Sequence, residues 1–122
     1  MADKPFRFGP VAMSNTLTTN ILNGPVQAAA GTGVGAQDLR MIVRHIHILN
    51  KTAGAVTFSL WLGATGGNSA GTEVIGTALS VAANSAYDWY GALPMVAADF
   101  LVGGASAATS LTIEGEGVIQ VI

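Results

Sequence analysis

The sequence predicts an all-β protein, a single antiparallel β-sandwich of jelly-roll-like type, with an immunoglobulin-like sandwich as the alternative. Three observations predict it: no helical period is found, apolar and polar residues alternate in short stretches, and turn residues separate these stretches roughly every 8 to 12 positions. The 122 residues suffice for one domain. We expect an extended N-terminal arm over residues 1–12, which contain Pro5, Gly9 and Pro10, and a β-sandwich domain over residues 13–122.

The clearest predicted strand covers residues 56–62, where apolar side chains occupy every second position. A second strand covers residues 40–49, with Ile42, Ile46 and Ile48 on one face, and the turn-prone residues 50–54 predict that the two strands form a hairpin. Residues 28–37 are typical of a mobile loop. Further strands are expected at residues 15–22, 73–75, 78–81, 85–90, 99–102, 110–113 and 117–121.

The low charge content favours a protein that works in an assembly. Only 10% of the residues are charged, against about 25% in an average soluble domain. Interface cores are depleted of charged side chains, so a charge-poor surface suits a protein covered by its own copies or by a larger particle. An ordinary β-domain rich in Ser, Thr and Gly turns is the alternative.

Charge and hydropathy also exclude classes of partner. All five basic residues lie within the first 51 positions, spread too widely to form the basic stripe of a nucleic-acid-binding protein. No apolar run is long enough to span a membrane, and the first residues show no secretory signal. The chain has no cysteine, which excludes disulfides and thiolate metal sites.

His45 and His47 are the two histidines of the chain, and their spacing places both imidazoles on one face of a strand. A His-x-His strand is how the metal site of a cupin begins, but Lys51 and Thr52 stand where a cupin has its glutamate, and there is no third histidine. Neither histidine has an obvious aspartate companion in the sequence. We therefore predict no metal site, because two imidazoles alone leave an ion under-coordinated. Histidines of several subunits meeting on a symmetry axis remain an alternative.

Other motifs of catalysis are incomplete. The segment 31–36 matches a dinucleotide-binding spelling but precedes a strand and opens no helix, so a flexible loop is the better interpretation. There is no nucleophile elbow for a serine. Glu114 and Glu116 share a strand face, which is more typical of an exposed strand than of a carboxylate pair. The sequence therefore predicts no enzyme, no catalytic residue and no cofactor.

The tryptophans allow a second class of function. Trp61 lies on the strand face opposite Phe58 and Leu60, so we expect it to point outward, and Trp89 follows in a later strand. Exposed rings stack on sugars or anchor protein interfaces. Trp61 and Trp89 are therefore candidates for a glycan-binding or interface site, with burial of Tyr87 and Trp89 in the core as the equal alternative.

Several turn and strand segments together resemble small β-sandwich proteins of tailed-bacteriophage particles. The resemblance spans residues 40–118 and consists of a strand, an Asn-containing turn, a strand, a variable Gly loop, an Ala-Asn-Ser turn and a Leu-x-Gly-Gly-Ala-Ser turn before a closing strand. The segments that carry it are Ile48-Leu49-Asn50-Lys51-Thr52, Thr57-Phe58-Ser59-Leu60-Trp61-Leu62-Gly63, Val81-Ala82-Ala83-Asn84-Ser85, Asp99-Phe100-Leu101-Val102-Gly103-Gly104-Ala105-Ser106 and Leu111-Thr112-Ile113-Glu114-Gly115-Glu116-Gly117.

The resemblance implies a structural virion protein, and we expect a capsid decoration or cement protein on the outer surface of a phage head, made in the host cytoplasm. Tail and neck proteins share the same layout. The expected partners are the major capsid protein and further copies of the chain, as a trimer rather than a dimer. The N-terminal arm would then clamp the shell through Lys4, Phe6, Arg7 and Phe8, the two phenylalanines as buried anchors and Arg7 on a carboxylate.

Overall fold

The computed structural model describes residues 4–24, 39–96 and 99–121. The described residues form eight β-strands and no helix, and so contain no helix that could cross a membrane. The strands are β1 (Lys4–Ala12), β2 (Thr19–Asn23), β3 (Leu39–Asn50), β4 (Val56–Gly63), β5 (Leu79–Val81), β6 (Ser85–Met95), β7 (Phe100–Ala105) and β8 (Leu111–Val121).

The strands form two antiparallel four-stranded sheets. Sheet A has the order β1-β8-β3-β6 and sheet B the order β2-β7-β4-β5. With the exception of β4 and β5, consecutive strands lie in different sheets, which is the connectivity of an eight-stranded jelly roll. The predicted all-β sandwich of jelly-roll type is confirmed, and the immunoglobulin-like alternative is wrong because its strands group differently.

The core lies between the sheets. Phe58, Leu60 and Leu101 of sheet B form one buried cluster with Ile46 and Ile113 of sheet A, and each of these side chains is at most 1% exposed. Burial of an aliphatic or aromatic side chain of this size contributes about 1.5–3 kcal/mol. The alternation that predicted the strands is thus the alternation between this core and the two outer faces.

The hairpin predicted for the strands around residues 50–54 is wrong. β3 pairs with β6 and β8 in sheet A, whereas β4 pairs with β5 and β7 in sheet B. The connection crosses from one sheet to the other around Asn50, which is fully buried. The amide of Asn50 donates to the carbonyls of Gly54, at 2.9 Å, and Val81, at 3.0 Å, and its oxygen accepts from the backbone N–H of Thr52 at 2.9 Å.

The alternation of buried and outward-facing side chains along β3 shifts by one residue halfway along the strand. The register of β3 shifts between Val43 and His45 against both neighbouring strands, and against β8 Arg44 is the extra residue of a β-bulge. Val43 therefore shares the buried face with Ile46, while Ile42 is half-buried on the other face. The predicted grouping of Ile42 with Ile46 and Ile48 is wrong for this reason.

The N-terminal segment is extended, as predicted, but residues 4–12 are not a free arm. β1 pairs with β8 from Lys4 to Ala12, with a register shift between Phe8 and Val11, and so forms an edge strand of sheet A. Phe8 is 8% exposed and belongs to the core. A boundary at residue 12 therefore does not separate an arm from the sandwich; residues 1–3 lie outside the described part.

Four other predicted strand segments differ from the structure. Residues 110–113 and 117–121 are parts of the one strand β8, and residues 73–75 contribute only an isolated bridge between Trp61 and Glu73. The first predicted strand begins later, at Thr19. The predicted loop at residues 28–37, including the glycine-rich segment 31–36, lies outside the described residues.

Candidate functional site

The outer face of sheet A carries half of the charged and imidazole side chains of the described residues in two cross-strand rows. Residues that are direct partners in an antiparallel sheet point to the same face, so the pairings define which side chains meet. The first row runs across all four strands and the second across three of them. The first row is Arg7, Glu116, His45 and Tyr90, and the second is Glu114, His47 and Asp88.

One carboxylate oxygen of Asp88 joins both histidines. Asp88 Oδ1 lies 2.7 Å from His47 Nδ1, its direct partner on β3, and 2.8 Å from His45 Nε2, which is diagonal to it. An ionised carboxylate only accepts hydrogen bonds, so each of these ring nitrogens is the protonated donor. The three ligand atoms all lie within 4.8 Å of one another.

Electrostatics and stacking hold this arrangement together. The hydrogen bonds from His45 and His47 to Asp88 hold the pKa of that carboxyl group below its usual value, because they favour the charged form. The ring of Tyr90, which is 71% exposed, stacks on the ring of His45 with centroids 4.5 Å apart and planes 2° from parallel. The plane of the His45 imidazole is therefore fixed from one side by a neighbouring ring.

The two rows border a surface groove of about 300 Å³. Both histidines reach it from the central strand β3, and two carboxylates reach it from the adjacent β8. Its lining is Arg7, His45, His47, Glu114, Gly115 and Glu116. A second, neighbouring depression of about 240 Å³ shares Glu116 and lies beside Arg44 and Phe6. The groove combines imidazole and carboxylate groups that can bind a cation.

The expectation that neither histidine has an aspartate companion is wrong. Asp88 lies 41 positions after His47, and only the register of β3 against β6 brings the two together. A signal was present in the sequence, since Asp88 is the one charged residue of the strand predicted at residues 85–90. Glu114 and Glu116 do share a face of β8, as predicted, and each lies directly across from a histidine.

Trp61 does not form an exposed platform. It points to the outer face of sheet B, as its position in the strand predicted, but it is only 6% exposed. Trp61, Val102 and Asn20 are partners across β4, β7 and β2, and the loop after β4 crosses this row, because Thr65 and Gly66 hydrogen-bond to Asn20. A sugar ring therefore has no access to the face of Trp61.

The second tryptophan packs inward. Trp89 is half-buried, is the cross-strand partner of Ile46 and packs against the core cluster, as does Tyr87. The interpretation in which Tyr87 and Trp89 complete the core is therefore confirmed. Tyr90 is the exposed aromatic ring of this strand, and it is engaged with His45.

The four residues predicted to contact a capsid are distributed over both faces of β1. Lys4 and Arg7 are exposed, and Arg7 lines the groove. Phe6 is half-buried against the core, and Phe8 is buried within it. Phe8 as an anchor in a partner is therefore a wrong expectation, because its ring already fills the core of its own chain.

Comparisons with known proteins give similarities of fold at low sequence identity. A scan against protein-family models and a search of curated proteins find no match. The similar solved structures include the Tobacco streak virus coat protein dimer, with 11% identity, a TM-score of 0.46 and coverage of 96% of this chain and 84% of that one.

Two further structures also come from viruses. The virus-like particle of the extra small virus of the prawn Macrobrachium rosenbergii shows 7% identity and a TM-score of 0.46, over 97% of this chain and 76% of that chain. The infectious bursal disease virus Gx strain shows 10% identity and a TM-score of 0.48, over 97% of this chain and 30% of that chain. Similarities of this size carry no argument about what this chain does.

Proposed function

We propose that the chain is a non-enzymatic structural protein of a virus particle, specifically a capsid decoration or cement protein that binds and stabilises a phage head shell. The observation that carries the proposal is the uneven distribution of charge between the sheets. None of the strands β2, β4, β5 and β7 of sheet B contains a charged residue, whereas every strand of sheet A does.

A sheet whose strands carry no charged residue suits a surface that is covered in its working state. Interfaces are depleted of charged side chains at their centres, and an exposed domain surface normally carries both signs of charge. Sheet B is therefore the side that meets further copies of the chain, as a trimer, or the major capsid protein of the shell. The resemblance of residues 40–118 to small phage virion proteins supports the same class of partner.

The N-terminal segment does not bind the shell as a free arm. β1 is an edge strand of sheet A, and Lys4 and Arg7 present exposed cations along it. These two side chains are proposed to contact carboxylates of a neighbouring subunit as part of a rigid surface. Weak contacts of this kind become effective on a shell because the same sites repeat many times.

Self-association through sheet B is tested with one added charge. Ser80 is exposed on β5, and its neighbours Leu79 and Val81 face the core, so its side chain lies on the outer face of sheet B. Ser80→Glu should weaken the trimer at least about tenfold, because a buried unpaired charge costs several kcal/mol. Ala86→Glu is the matched control, since Ala86 is equally exposed on the outer face of sheet A.

Light scattering behind a sizing column measures the mass of each variant over a range of concentrations. Co-sedimentation with purified heads and, separately, purified tails then measures binding to the particle. We expect wild-type chain and Ala86→Glu to form trimers and to sediment with heads. Sedimentation with tails alone would place the protein on the tail or neck, and a monomer that binds neither fraction would contradict the proposal.

A further inference from the structure

We infer that His45, His47 and Asp88 form a binding site for one divalent transition-metal ion of the zinc class on the outer face of sheet A. The inference is independent of the proposed virion function and replaces the prediction of no metal site. That prediction rested on the absence of a carboxylate partner, and the structure supplies one.

The spacing of the ligand atoms fits such an ion after a small movement. In a tetrahedral zinc site with bonds of about 2.0–2.1 Å, ligand atoms lie about 3.3 Å apart. Asp88 Oδ1 now lies 2.7 and 2.8 Å from the two ring nitrogens, at hydrogen-bond distance. An ion that displaces the two ring protons needs the carboxylate to retreat by about half an ångström. It also needs the two ring nitrogens, which lie within 4.8 Å of each other, to stand about 3.3 Å apart, which rotation of the imidazole side chains has to supply. The side chain of Asp88 is 37% exposed and has room to do so.

The ligands stand on a rigid platform. His45 and His47 lie on β3, which is hydrogen-bonded on both sides by β6 and β8, and Asp88 lies on β6. The stacked ring of Tyr90 fixes the plane of the His45 imidazole. Sites built on strands hold their geometry better than sites on loops, so little order has to be imposed when the ion binds.

The surrounding charge favours a cation. Glu114 and Glu116 stand on the adjacent strand β8, each directly across from one of the histidines, and both line the same groove. With Asp88 they give three carboxylates, against the guanidinium of Arg7 in the groove and that of Arg44 beside Glu116, so this surface carries a net negative charge when the imidazoles are neutral. Such a field raises the local concentration of dications.

The ligand types select the ion. Two imidazoles and one carboxylate suit zinc, copper and nickel, whereas magnesium and calcium prefer oxygen ligands throughout. Three protein ligands leave a fourth position, which water completes because the three side chains are partly exposed on the outer face of the sheet. The proposal is a bound ion at this position on the surface, with no reaction assigned to it.

The test is zinc binding to the full chain without an affinity tag, stripped of metal by chelation. Isothermal titration calorimetry should give one zinc ion per chain. His47→Gln and Asp88→Asn should each weaken binding at least about tenfold, since loss of an outer-shell partner alone costs 10–100-fold. Asp88→Asn keeps an amide oxygen that accepts both hydrogen bonds, so thermal unfolding should show that the fold is retained.

Glu73→Gln is the matched control. Glu73 accepts a hydrogen bond from the backbone N–H of Gly71 at 2.8 Å, far from the groove lining, and a glutamine oxygen preserves that bond. This change should leave the affinity for zinc unaltered. Nuclear magnetic resonance gives a second readout, because the chain has two histidines and zinc should shift the ring signals of both.

Two results would overturn the inference. The first is no saturable binding at millimolar zinc in equilibrium dialysis of the folded wild-type chain. The second is binding that is unchanged in both His47→Gln and Asp88→Asn, which would place the ion elsewhere on the chain. Neither result bears on whether sheet B associates with a shell, so the two proposals fail separately.

Discussion

The ring of Phe8 packs directly on the backbone of Gly115, its partner in the register between β1 and β8. A Cβ atom on Gly115 would overlap the edge of this ring and would lie 2.8 Å from the carbonyl oxygen of His45. The absence of a side chain at this position is what lets the edge strand close over the core.

Gly115→Ala should therefore destabilise the fold. We expect a loss of about 1–3 kcal/mol in the free energy of unfolding, because overpacking forces the ring or the strand to shift. Gly54→Ala is the control, since a Cβ there meets no atom within 4 Å, and it should change stability by less than about 0.5 kcal/mol. Urea unfolding followed by circular dichroism measures both, and equal stabilities would contradict the packing described.

Alanine substitutions of the adjacent residues Phe8 and Arg7 on β1 should differ strongly in their effect on stability. Phe8→Ala removes a buried ring and should cost about 3 kcal/mol, whereas Arg7→Ala removes an exposed side chain and should cost less than about 0.5 kcal/mol. Thermal and urea unfolding give the comparison. If Phe8→Ala kept full stability and lost only particle binding, the segment would be a free arm after all.

The buried amide of Asn50 should be as important as a core residue. Asn50→Ala leaves the carbonyls of Gly54 and Val81 without this donor, and we expect a loss of about 3 kcal/mol. Thr52→Val removes a hydroxyl that donates to Asn50 Oδ1 and lies within hydrogen-bond distance of the carbonyl of Gly54, so about 1 kcal/mol is expected. Chemical denaturation ranks the two, and the reverse order would mean that the corner is held by other contacts.

The tryptophans should differ in access to solvent. The variant Trp89→Phe keeps Trp61, which is 6% exposed, and its fluorescence should be shifted to the blue and poorly quenched by iodide. The variant Trp61→Phe keeps the half-buried Trp89, whose fluorescence should be quenched more strongly. Strong quenching of Trp61 would mean that the loop after β4 opens, and would restore a sugar-stacking role for this ring.

Local pattern was enough to predict the strands, because alternation records which side chains face the core. It predicted β4 almost to the residue, and most other strands in part. It could not assign partners. The strands β1 and β8, at opposite ends of the described chain, are neighbours in sheet A, and no local signal records that pairing.

For the same reason, the sequence predicted only part of the candidate site. The spacing of His45 and His47 follows from the geometry of one strand, so the sequence placed them on a common face. Asp88 joins them only through the pairing of β3 with β6, which depends on the path of the whole chain. The β-bulge at Arg44, against β8, likewise changes which side chains of β3 face the core. The composition of the strand does not reveal where such a bulge occurs.

The two edge strands of sheet A are poorly suited to pair with a strand of another copy of the chain. Three of the four prolines of the chain, Pro5, Pro10 and Pro94, lie in the edge strands β1 and β6. A proline has no N–H to offer to an incoming strand, so neither edge presents an unbroken ladder of donors. The two edges of sheet A are thus poor templates for pairing with a strand of another copy, so growth of this sheet from chain to chain is disfavoured.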